Sequence, residues 1–190
     1  MTRPAAFALC SLAALFTAPT AAQDAPAAPP LAEVLASQVG EWTGTLEYRD
    51  YQADRWFGLP MRVTVADGGD GVTMIRTADF DDGLRVGVVR ITTVTMLGED
   101  GSTEYSVGFR KGRVPEVSSA RLTLAAWSDD AHWTILAEET ATDDDRPALI
   151  RETIVRDGAR LTTLKEVDFT DDDAAEWLVR NRSTLDRVDG

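Results

Sequence analysis

The sequence reads as an all-β protein, an antiparallel up-and-down β-barrel of about ten strands led by a short N-terminal helix. Three observations carry that expectation. Apolar residues recur at every second position through long stretches of the chain. Clusters of turn-forming residues interrupt those stretches at short intervals. After residue 40 no run has the spacing of a long helix, which argues against the strand–helix–strand units of a parallel sheet.

The elements follow in order. Residues 1–22 have the pattern of a signal peptide: Arg3, an apolar run from Ala5 to Leu15, and the small residues Thr20-Ala21-Ala22 ahead of Gln23. The apolar run is shorter than the roughly 20 residues a spanning helix needs. Cys10 follows Phe7-Ala8-Leu9, a poor lipoprotein signal that comes too early in the chain. Residues 23–30 are Ala/Pro-rich and read as a tether, and 31–190 as a single barrel domain. Leu31, Val34, Leu35 and Val39 fall near helical spacing and predict the short helix.

The period then becomes two. Trp42, Gly44, Leu46 and Tyr48 alternate with Thr43, Thr45, Glu47 and Arg49. Phe57 to Val65 and Tyr105 to Phe109 repeat the pattern, with one face buried and one wet. Turn signals separate the strands, among them Asp67-Gly68-Gly69-Asp70-Gly71, Asp81-Asp82-Gly83, Glu99-Asp100-Gly101, Lys111-Gly112, Asp143–Asp145 and Asp171–Asp173. Every connection is short enough for a hairpin, and a meander of this length loses its exposed edges by closing into a barrel. A two-sheet sandwich is the alternative.

Composition bounds the function. The net charge is −13, and −14 once Arg3 leaves with the signal peptide. Such a balance disfavours nucleic acid and anionic membrane surfaces as partners. The acids gather in the predicted turns, where Asp bonds its own backbone. The one cysteine lies in the leader, so the exported chain has no disulfide, thiol nucleophile or Cys-ligated metal. Export places the protein in a bacterial periplasm or outside the cell.

Gly40-Glu41-Trp42 opens the first clear strand behind the short helix, and Arg180-Asn181-Arg182 stands near the end of the chain. A Gly-x-Trp triplet so placed, a long series of strands and a late arginine resemble the calycin or lipocalin-like barrels over about residues 31–187. In those barrels the tryptophan lies across the closed end and the arginine packs on it. The resemblance therefore implies a structural latch of Gly40, Trp42 and Arg182, with Arg182 chosen by position; a guanidinium stacks well on indole. It also implies an interior able to hold a small ligand. Ten-stranded relatives, including haem-binding nitrobindin-like barrels, fit the strand count as well.

His132 is the only histidine. It alternates with Trp133 and Ile135, which should take the core and point His132 outward, whereas a nitrobindin-like haem site needs an inward axial ligand. One histidine also excludes a multi-histidine zinc site within one chain. Glu152 and Glu166 fall on neighbouring predicted strands, but Arg151, Arg156 and Lys165 are equally near, and cross-strand ion pairs explain the pattern. No Gly-x-Ser-x-Gly elbow is present. An EF-hand starting at Asp79 fails, because Arg90 stands where a bidentate Glu is needed. An outer-membrane barrel would need an apolar outer band, against which Thr43, Thr45, Glu47 and Arg49 stand on the second face. The expectation is thus no enzyme, no metal, no cofactor and no membrane insertion.

The sequence favours an exported barrel that buries a small, partly apolar molecule, with Tyr48, Tyr105 and Trp133 as lining residues by their alternation. The alternative is an interaction module with a filled barrel, acting through its acidic loops or the Tyr51–Phe57 hairpin. An accessible interior favours the first and a packed one the second, and an interior-facing Arg or Glu would also suggest a filled polar core.

Overall fold

A computed structural model describes residues 27–174 and 176–188; the expected signal peptide, with Cys10, and the first part of the tether lie outside the described residues. The short helix forms as expected, α1 over Leu31–Ala36. Ten strands follow: β1 Gly40–Asp50, β2 Arg55–Asp67, β3 Thr73–Asp81, β4 Val88–Leu97, β5 Thr103–Arg110, β6 Glu116–Asp129, β7 His132–Asp143, β8 Arg146–Asp157, β9 Arg160–Phe169 and β10 Leu178–Arg187. A single helical turn, α2 at Gly83–Val86, bridges β3 and β4. Each strand pairs antiparallel with its neighbours in sequence, and β10 returns to β1, which closes the barrel.

The acidic clusters form the turns. Asp70 accepts from the backbone N–H of Val72 and Thr73 at 3.0 and 2.7 Å, and Asp100 does the same for Ser102 and Thr103 at 2.9 and 2.7 Å. The Thr103 hydroxyl foremost for Asp100, the Val72 N–H foremost for Asp70, and the other bonds of each turn hold both carboxyls below the usual aspartate range. Outward faces carry cross-strand ion pairs: Arg90–Asp79, Arg151–Glu166, Arg160–Asp186 and Arg182–Glu47. Among the described residues no helix is long and apolar enough to cross a membrane.

One end of the barrel is shut. Helix α1 lies there, with Val34 and Leu35 buried against Trp42, Met61, Val63, Trp133, Ile135, Leu161 and Leu185. Trp42 is 1% exposed, and its indole N–H donates to the Gln38 carbonyl at 2.9 Å. Two arginines lie over its ring, Arg187 with Cζ 5.3 Å from the centroid and Arg156 with Cζ 5.1 Å away. Arg187 also donates to the Val39 carbonyl at 2.6 Å, while Arg156 donates to the Ser37 carbonyl and, at 3.1 Å, to that of Gly158. Both cations thereby satisfy carbonyls left free where α1 ends, positions that favour positive charge.

This corrects the expected latch. Gly40 and Trp42 hold the predicted places, but Arg182 does not reach Trp42. It points outward, pairs with Glu47 at 2.7 Å and stacks on Trp56 at 4.2 Å. Strand parity decides the matter: Ser183, Leu185 and Arg187 point inward, and Arg187 is the residue in register with Trp42. Gly40 makes room for it. Its φ is +140°, and a Cβ there would lie 2.8 Å from the Arg187 guanidinium. Gly44 serves a different contact, since a Cβ would come within 1.9 Å of the Thr184 carbonyl on β10.

Candidate functional site

Above that floor the barrel is hollow. A cavity of about 470 Å³ occupies its interior. The wall formed by β1 and β2 is apolar, with Trp42, Leu46, Met61, Val63 and Val65 facing the space. The remaining strands mix apolar residues, such as Met74, Phe80, Ile150 and Ile154, with hydroxyls and charges: Arg76 on β3, Thr95 on β4, Glu104 on β5, Glu139 on β7 and Glu152 on β8.

Period-two geometry puts them there. Arg76 lies on the inward face of β3 between Met74 and Ala78, and Glu152 on that of β8 between Ile150 and Ile154. Their strands stand half-way round the ring from each other, so the guanidinium and the carboxylate face across the lumen. Among the described residues, none of Arg76, Glu104, Glu139 and Glu152 makes an ion pair. They sense one another at longer range. Burial pushes the Glu104 carboxyl up, Thr95 opposes the shift, and the Glu152 charge adds to it. Glu139 is likewise raised by burial, with Lys165 opposing and Glu152 adding. Burial lowers Arg76, which the opposite Glu152 partly offsets. No group of three His, Cys, Asp or Glu side chains among the described residues converges to hold a metal ion.

The expected lining residues are distributed differently. Tyr48 does point inward, one step from Leu46 towards the mouth, where it stacks on Phe57 with centroids 5.4 Å apart. Burial raises its hydroxyl pKa, and Arg110 at the end of β5 and Asp82 before α2 act on it, which places the ring at the open end. Tyr105 points out of the barrel and is 51% exposed, because its neighbours Glu104 and Ser106 take the inward positions. Trp133 is inward but belongs to the floor: it is 2% exposed and donates to Ser37 Oγ at 3.1 Å and to the Asp130 carbonyl at 3.2 Å. None of the three is among the residues that line the cavity.

His132 faces outward, as its alternation predicts, and its Nδ1 lies 2.8 Å from Asp129. Glu152 and Glu166 do not meet. Glu166 is on the outer face, bound to Arg151 at 2.8 Å, and Glu152 is in the lumen. The interior charges are the candidate site residues that the sequence reading did not single out. Their signal is a charged residue inside an apolar period-two series, as in Met74-x-Arg76-x-Ala78, Ala137-x-Glu139-x-Ala141 and Ile150-x-Glu152-x-Ile154.

The rim is uneven. On one lip, α2 and the β5–β6 turn expose Leu84, Val86, Val88, Val114 and Val117 beside Arg85, Arg110, Lys111 and Arg113. On the other, Asp143 and Asp144 bind Arg180, and Asp171 and Asp172 bind Arg146. A bulge between Val179 and Asn181 releases Arg180 from the ladder.

No protein-family model matches the chain, and no curated protein matches it. Its fold is similar to that of Rv2717c from M. tuberculosis, whose crystal structure superposes with a TM-score of 0.58 at 13% sequence identity, over 85% of this chain and 99% of that one. At that identity the likeness is one of fold: a closed, ten-stranded antiparallel barrel with a short helix across one end.

Proposed function

We propose that this chain is an exported, lipocalin-like barrel that binds a small, partly apolar molecule in its interior. One observation carries the reading: the lumen is open rather than packed, with about 470 Å³ of space between an apolar wall and a mixed one. Small-molecule sites occupy about 300–1,000 Å³ and combine apolar area with a few polar groups that fix orientation. The β1–β2 wall supplies the area, and Arg76 and the facing glutamates supply the polar groups. The floor needs no ligand to hold together, since Trp42, Trp133, Arg156 and Arg187 satisfy one another and the end of α1.

A filled interaction module would leave no such space and would use its interior charges on one another. Here those charges form no ion pairs among the described residues, so the empty lumen favours binding. Native mass spectrometry of protein purified from its own source tests the reading. A retained adduct is expected, and weakened by Thr93→Trp, which narrows the lumen. The bare polypeptide mass, together with no uptake of a lipophilic fluorescent probe, would overturn it. Export rests on the signal-peptide pattern, and sequencing of the exported form is expected to start within a few residues of Gln23.

A further inference from the structure

We propose that the ligand of this cavity is an amphiphile with a zwitterionic head, its ammonium turned to the Glu104–Glu139–Glu152 arc and its carboxylate to Arg76. The inference rests on the reading that the interior binds a small, partly apolar molecule, and it names the chemistry of that molecule's polar end.

The lumen is divided by charge. Glu152 on β8 stands half-way round the ring from Arg76 on β3, Glu139 on β7 is one strand nearer, and Glu104 on β5 is two strands from it. The carboxylates do not converge on a metal position, so they form a broad negative surface rather than an ion cage. Across from Glu152, the Arg76 guanidinium offers planar donors and forms no ion pair among the described residues. Buried charges without partners are costly. The protein therefore holds charges of both signs in one partly enclosed lumen, with Arg76 and Glu152 on opposite sides and apolar residues between them.

Each simpler head group meets only one sign of charge. A fatty acid would pair with Arg76 and place a further anion in a lumen that holds three carboxylates. A long-chain amine would pair with the glutamates and leave Arg76 without an acceptor. A neutral alcohol answers neither charge. A head carrying both charges satisfies both signs at once: guanidinium is suited to bidentate contact with a carboxylate, and an ammonium donates to several carboxylates together. Its alkyl body would lie along Leu46, Met61 and Val63. Specificity then comes from the penalty on ligands that leave one sign of charge unpaired.

Isothermal titration calorimetry of the purified protein with N-decylglycine, decylamine, decanoate and decanol separates the cases. N-decylglycine is expected to bind at least about tenfold more tightly than each of the other three. Arg76→Gln should remove its advantage over decylamine, and Glu152→Gln should reduce its advantage over decanoate. Equal affinities, or any of the other three binding most tightly, would overturn the zwitterionic head while leaving the ligand-binding reading standing. Binding of none of the four would remove both. The wild-type ranking decides the question by itself if either variant fails to fold, which circular dichroism would reveal.

Discussion

Arg187 stands directly across the strand pair from Trp42 and lays its guanidinium over the indole, with Cζ 5.3 Å from the ring centroid. The same side chain reaches past Gly40 to the Val39 carbonyl at 2.6 Å. One contact thus joins the first strand, the last strand and the helix end. Trp42→Ala should cost ~3–5 kcal/mol, through lost transfer energy and the cavity left behind. Arg187→Ala should cost ~1–3 kcal/mol, because it removes the stacking and leaves a carbonyl without a donor. The double mutant should lose less than the sum. Arg182→Ala, an exposed pair, should cost ~1 kcal/mol or less. Urea unfolding of the four variants checks the set, and additive losses would separate the two residues.

The two glycines of β1 should respond differently to a methyl group. Gly44 faces a backbone carbonyl that cannot swing aside, so Gly44→Ala must push β10 away from β1. Gly40 meets the end of a flexible side chain, although its positive φ adds strain of its own. Gly44→Ala is expected to lose at least ~2 kcal/mol and more than Gly40→Ala. Thermal denaturation of both variants gives the order, and a more stable Gly44→Ala would refute it.

The lumen carboxyls should leave a mark on the pH dependence of stability. Glu104 and Glu139 have raised values, burial being the foremost cause. The folded chain keeps protons there that the unfolded chain has released. Their favourable contribution is complete below the ordinary glutamate range and is lost as pH rises through the raised values. The turn and outer-face aspartates run the other way: Asp70, Asp79 and Asp186 are lowered, so their contribution is lost as pH falls. Glu104→Gln should therefore gain on the wild type over the range from the ordinary glutamate value up through the raised one. Urea unfolding across that range measures it, and a constant difference would contradict the assignment.

His132 lies on the outer surface at the β6–β7 turn, beside Asp129 and with Asp157 3.6 Å from Nε2. A haem in the lumen could not reach it. Titration with haem is expected to give no Soret shift that His132→Ala abolishes. A stoichiometric shift that this variant removes would require the strand to be turned inside out.

The fold was legible because the alternation and the turn chemistry are local. Each Asp-Gly cluster binds its own backbone, and each apolar series declares one face, so strand number and antiparallel pairing follow without knowledge of distant contacts. The latch arginine depends on long-range register. Arg182 and Arg187 both lie on β10, and only the pairing of that strand with β1 sets Arg187 opposite Trp42 and Arg182 opposite Glu47. Parity also explains Tyr105: the short series Tyr105, Val107, Phe109 looks like a buried face, yet Glu104 and Ser106 point into the lumen. In a hollow barrel the polar face can be the inner one, which inverts the usual inference from alternation.

Because the ring is built from ten hairpin-linked strands, an even number, β1 begins and β10 ends at the same rim, the one that α1 covers. The backbone N–H of Val188 still bonds to the Glu41 carbonyl at 2.9 Å, so both ends leave side by side. A fusion partner, surface tag or bead joined at either terminus would hold the cup by its base. The mouth would then face away from the attachment, leaving the lumen open to solvent.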